Sequence, residues 1–397
     1  MTKAISWLLV AGSWLTLAAS QLAAQQPTAT TSSPPRAPDK DYLVLVASEG
    51  NDRISLVRFG PAGASVEHVS RIGRNPTEPV GPHGLGVSPD GRYYYVSTAH
   101  GFPNGDLWKF TTAGDSLKGR VTLGLFPATL QISPDGLFAY VVNFAVYGEM
   151  KPSSVSVVYT DDMAEVARIT TCTMPHGSRL NRDGTKHYSA CMMDDALVEI
   201  DTRTMTVSRH FMLRKGSEHG EAGPLHSGRE QATGHGGHGM EPPKPGDVSC
   251  SPTWAQPSAD GGRVYVACNK TSDVVELDAA SWKLTRRFPM GPGVYNLAVT
   301  RDGKLLIGTN KRGQSVSVVE LATGKEIALL PTRRKVASGV VISPDDRYAF
   351  VTVEGVGSEP GTVEVIDLRT LRTVATVDVG QQAGGIDFWK TEPSVGR

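Results

Sequence analysis

Six copies of one phrase constrain this chain more than anything else in it. They read PHGLGVSPDGRYYYVST from Pro82, PATLQISPDGLFAYVVN from Pro127 and PHGSRLNRDGTKHYSAC from Pro175. Further copies are PTWAQPSADGGRVYVAC from Pro252, VYNLAVTRDGKLLIGTN from Val294 and ASGVVISPDDRYAFVTV from Ala337. Their turn aspartates, Asp90, Asp135, Asp183, Asp260, Asp302 and Asp345, lie 45, 48, 77, 42 and 43 residues apart, so one interval carries a large insertion. A period in the low forties built from short alternating strands is the mark of a propeller or a similar repeat array.

The copies number the blades. Upstream of Pro82, the runs 42–48, 54–60 and 66–72 supply three strands of a further blade that lacks its innermost one. The missing strand stands at the far end, where AGGIDF (383–388) aligns with PHGLGV. The chain is therefore expected to be all-β, a seven-bladed β-propeller over 41–390 whose C-terminal strand completes the first blade and leaves no open sheet edge. Within each blade, strand a precedes the turn, strand b is the Tyr- and Val-rich run, and strands c and d follow as in TVEVIDL and TVATVDV. Asp-Gly between a and b supplies the positive φ of a tight hairpin, so these aspartates read as turn residues rather than acids.

The phrase set resembles the YVTN family of β-propeller repeats, through YVVN (140–143), YVAC (265–268), SVSVVELATGK (315–325) and the intact SPDG from Ser88 and Ser133. The resemblance implies the fold and names no activity, because propellers host many unrelated functions.

The ends and the charge bound the setting. Residues 1–24 read as a secretory signal, one Lys before an apolar run and small residues near Ala24, with a membrane anchor as the alternative. A Pro/Thr/Ser-rich leader follows over 25–40, and 391–397 form a tail. No later segment approaches the length of a membrane span. Lys plus Arg equals Asp plus Glu at 40 each, so no nucleic-acid partner is expected. The expected product is a periplasmic or secreted monomer whose partner is a small ligand, a metal ion or an exported protein.

Antiparallel a and b strands bring Cys172 beside Cys191 and Cys250 beside Cys268, natural disulfides in an exported protein; a Cys/His metal site is the alternative, although no Cys-x-x-Cys occurs.

Alternation of strand direction places the d-to-a and b-to-c connections on one face, around the channel mouth. Strand a entries bring His83, His176, Trp254 and Tyr295 there, and b-to-c turns bring His100 and Glu354. The insertion between blades four and five (214–249) brings His219, His226, His235 and His238. Imidazole with the thioethers of Met192, Met193 or Met240 suits copper, and imidazole with Glu218 or Glu221 suits zinc. The competing readings of the insertion are a solvated loop and a lid over an organic ligand. His83 and His176 hold equivalent positions and are expected to face the channel, where Ala128, Thr253, Tyr295 and Ser338 occupy the matching places. No nucleophile elbow, phosphate loop, dinucleotide fingerprint or His-Glu-x-x-His is present. The sequence thus points to a binding module working through this face, with copper or zinc as leading ligand. The alternatives are a lactonase-like hydrolase or oxidoreductase at the same mouth, or a protein-interaction scaffold.

Overall fold

The structure, a computed structural model, describes residues 37–73, 75, 77–100, 103–226, 246 and 248–394. Its strands form seven antiparallel sheets arranged as the blades of a propeller. The first blade joins Ala383–Pro393, Lys40–Ser48, Arg53–Gly60 and Gly63–Arg71 in that order. Pairing runs from Lys40↔Pro393 to Ser48↔Ala383, so the last strand closes the ring against the first, as the alignment of AGGIDF with PHGLGV requires. The remaining innermost strands are Pro82–Val87, Pro127–Ile132, Pro175–Leu180, Pro252–Pro257, Val294–Val299 and Val336–Ile342.

The repeated turn works through its side chains. Ser88 Oγ donates to Asp90 Oδ1 at 2.6 Å, the same oxygen accepts Arg92 N at 3.0 Å, and Gly91 sits at φ +69°. Asp135, Asp183, Asp260 and Asp302 repeat the arrangement, each accepting the backbone N–H two residues on. In the last copy Asp346 takes the left-handed position (φ 56°) that glycine holds elsewhere. These aspartates hold their own turns together.

Alternation buries one face of each strand against the next blade. The seam between the seventh and first blades packs Tyr42, Phe59, Tyr348 and Phe350 with ring centroids 4.9–6.4 Å apart. Both disulfides form: Cys172–Cys191 with Cα atoms 5.8 Å apart and Cys250–Cys268 with 4.5 Å. No helix among the described residues is long and apolar enough to cross a membrane. The insertion begins differently from a plain loop. His219–Ala222 adds a fifth strand outside Thr206–Met212, and a Lys215↔Val248 bridge closes its base.

Candidate functional site

Around the channel, side-chain donors on one blade reach the carbonyl of the equivalent strand-entry residue on the next. Ser97 Oγ donates to Ala128 O, Thr129 Oγ1 to His176 O, Thr253 Oγ1 to Tyr295 O, Thr309 Oγ1 to Ser338 O and Thr352 Oγ1 to Gly384 O, over 2.5–2.8 Å. Between the fourth and fifth blades the donor is an imidazole, His176 Nδ1 to Thr253 O at 2.9 Å. This lacing explains the glycine of Pro-His-Gly: a Cβ on Gly84 would lie 2.0 Å from Ala128 O. Between the first and second blades the hydroxyl position holds Ala47, and a different contact bridges the gap.

That contact is Glu49, in the b-to-c turn of the first blade (Glu49–Asn51). Its Oε2 accepts from His83 Nδ1 at 2.6 Å and its Oε1 from His100 Nε2 at 2.8 Å, so one carboxylate ties two imidazoles of the second blade. Burial alone would raise this carboxyl, but the hydrogen bonds and charge of His100 and His83 outweigh it and hold it well below the carboxylate range. His100 is raised in return, first by its bond to Glu49, against burial. With Nδ1 engaged, His83 Nε2 has no partner among the described residues, and the ring lines a cavity of about 250 Å³ at the channel mouth.

His176 stands beside it, ring centroids 6.4 Å apart. A carbonyl only accepts, so the bond to Thr253 O puts the proton on Nδ1, and Nε2 accepts the Tyr295 hydroxyl at 2.8 Å. Burial, then the charge of His83, pushes His176 down to about 3, a neutral imidazole at any ordinary pH. Burial likewise raises Tyr295, keeping it a phenol. Lys311 Nζ lies 3.8 Å from the Tyr295 ring centroid and 3.3 Å from Glu354 Oε1. Burial would discharge Lys311, but Tyr295 and Glu354 outweigh it and raise it. Trp254, Tyr295 and Glu354 all line the cavity, as do His83 and His176.

The other histidines go elsewhere. His219 lies on the added outer strand, its Nε2 3.1 Å from Glu221 Oε1, and His226 Nε2 is 3.2 Å from Asp194 Oδ2; neither lines the cavity. Both ring nitrogens of His176 are occupied, and His83 spends one on Glu49. Among the described residues no group of three or more His, Cys, Asp or Glu is set to hold a metal ion. His235, His238 and Met240, which belong to the same copper or zinc expectation, lie outside the described residues.

Two residues of the site escaped the sequence reading. Glu49 begins the same Glu-Gly pair that Glu354 begins in the seventh blade, at the same b-to-c turn, which is a signal. Arg179 holds the strand a position of Gln131, Gln256 and Asp387, and these four polar residues mark a ring that faces the channel.

No protein-family model matches the chain, and no curated protein sequence matches it. Solved structures do. The hydrazine synthase of Kuenenia stuttgartiensis superposes with a TM-score of 0.59 at 21% identity, over 77% of this chain and 89% of that one. A periplasmic gluconolactonase of Pseudomonas aeruginosa gives 0.65 at 18% identity, over 88% and 99%. A putative 6-phosphogluconolactonase of Bacteroides uniformis gives 0.63 at 15%, also over 88% and 99%. At these identities the likeness is one of fold, and the class is the seven-bladed β-propeller.

Proposed function

We propose that this is an exported propeller hydrolase that opens a small cyclic ester at its channel mouth. The observation that carries the reading is the Glu49–His83 pair: a carboxylate holding Nδ1–H of an imidazole whose Nε2 is free at the cavity. This is the arrangement a general base needs, with tautomer fixed and the developing imidazolium stabilised. Water loses a proton to His83 Nε2 as its oxygen attacks the acyl carbon. The ring C–O bond then breaks, and the proton passes to the leaving oxygen, giving a hydroxy acid. Lys311, kept charged by Glu354, supplies a donor for the negative charge that develops. Two of the fold neighbours carry lactonase names, which supports a lactone over other esters. The two disulfides support an oxidising compartment.

The test is a pH-stat assay over γ- and δ-lactones of sugar acids, run beside thermal-shift binding. Acid release above the uncatalysed rate for at least one lactone supports the reading. Binding of lactones with no acid release leaves a binding module and removes the hydrolase.

A further inference from the structure

The mouth cavity has a floor that the reaction above does not use. Arg179, on the innermost strand of the fourth blade, lines both this cavity and a second one of about 340 Å³ at the opposite end of the channel, so it stands at the waist between them. Its guanidinium lies 4.4 Å from the Trp254 ring and gives one N–H to Ser178 O at 2.9 Å. Its other N–H groups have no partner among the described residues, and no carboxylate there forms an ion pair with it.

The nearby carboxylates are engaged elsewhere. Glu49 serves two histidines, and Glu354 serves Lys311. Asp387, on the completing strand, gives its two oxygens to Val87 N and Phe388 N, each at 2.8 Å. His187, which feels the Arg179 charge, is buried and neutral and offers no countercharge. Asn296, 5% exposed, lines the same cavity, and its side-chain amide has no partner among the described residues. An arginine fork with unused donors, its plane held on an indole and a free amide beside it, is a receptor lacking its anion.

We propose that the channel waist is an oxyanion subsite, in which Arg179 takes a carboxylate or phosphate group of the ligand and Asn296 supports it. The inference builds on the reading of the mouth as the ligand site and names the ligand as an anion. Burial supports it: with only the charge of Asp387 in opposition, it pushes the Arg179 guanidinium down to about 10, the mark of a buried cation without adequate countercharge.

The experiment titrates the intact protein with inorganic phosphate and, separately, with D-gluconate, by calorimetry and tryptophan fluorescence. Saturable binding of either anion is expected, and which one binds tells phosphate from carboxylate. Arg179→Gln should weaken it by about tenfold or more, and Arg179→Lys by less, because charge remains while the fork is lost. His83→Ala should leave anion binding in place while losing turnover, which separates this proposal from the hydrolase. If Arg179→Gln does not fold, the saturable fluorescence change in the wild type should vanish in Trp254→Phe. Binding of neither anion, equal binding by Arg179→Gln, or an unchanged signal in Trp254→Phe overturns the proposal.

Discussion

Glu49 and His83 meet, Oε2 to Nδ1 at 2.6 Å, across a blade junction that, among the described residues, lacks the side-chain-to-carbonyl clamp of the other six. The same carboxylate holds His100 at 2.8 Å, so a single side chain joins two blades and sets up the candidate base.

That double role has a spectroscopic consequence. His100 is raised mainly by its bond to Glu49, so Glu49→Gln should return it toward the ordinary imidazole value near 6.5. The stability it contributes is full below about pH 6.5 and is lost as pH rises through the raised folded value. NMR titration of the His100 ring should show the downward move in Glu49→Gln. An unmoved His100 would mean that Glu49 does not hold it in solution.

His187 gives an opposite sign. It is fully buried, stacks on Tyr140 with centroids 5.2 Å apart, and neither ring nitrogen has a partner among the described residues. Burial, then the charge of Arg179, lowers it to about 3. Between about pH 6.5 and 3 the unfolded chain binds a proton that the folded one refuses, so stability falls with acidification. His187→Phe should keep the stack, match or exceed the wild type at pH 7.5 by about 1 kcal/mol, and gain further at pH 5. Urea melts at the two pH values check this; a large loss at pH 7.5 would contradict it.

Asp345 ties the closing blade to its neighbour. It accepts from Tyr42 at 2.8 Å and Ser343 at 2.7 Å and pairs with Lys40 at 2.9 Å. Burial opposes its charge, but the bonds from Ser343, Lys40 and Tyr42 hold it down at about 2. Asp345→Ala leaves the hydroxyl of the buried Tyr42 without its acceptor and should cost about 1–3 kcal/mol, read as a lower midpoint in thermal unfolding.

The disulfides invite a separable test. Replacing both Cys172 and Cys191 by alanine frees a loop of 19 residues and should cost about 3 kcal/mol on the chain-entropy account. Neither cysteine lines the mouth cavity, so turnover per folded molecule should be retained.

The fold was legible because each strand and turn is written six times over, and the missing seventh strand could be found by aligning AGGIDF with PHGLGV. The disulfides were legible because the a–b pairing recurs in blades four and five. The site was less so. His83 and His176 stood out as equivalent residues, yet they act differently, one on a carboxylate and one on a carbonyl and a phenol. Arg179 occurs once, and Glu49 recurs only as Glu354 in the seventh blade; a charged residue that the other blades lack reads as surface until neighbouring blades are stacked against it. His219 was placed at the rim by its loop, but strand pairing with His210 and Phe211 carries that segment to the outer edge of its blade.

The most direct measurement is the rate of lactone opening by wild type, His83→Ala and Glu49→Gln at one pH, on the best lactone of the panel. The account predicts a fall of about 10²–10⁴-fold in kcat for His83→Ala and a smaller but clear fall for Glu49→Gln, with unfolding midpoints showing folded protein. Equal kcat in folded His83→Ala and wild type would contradict it.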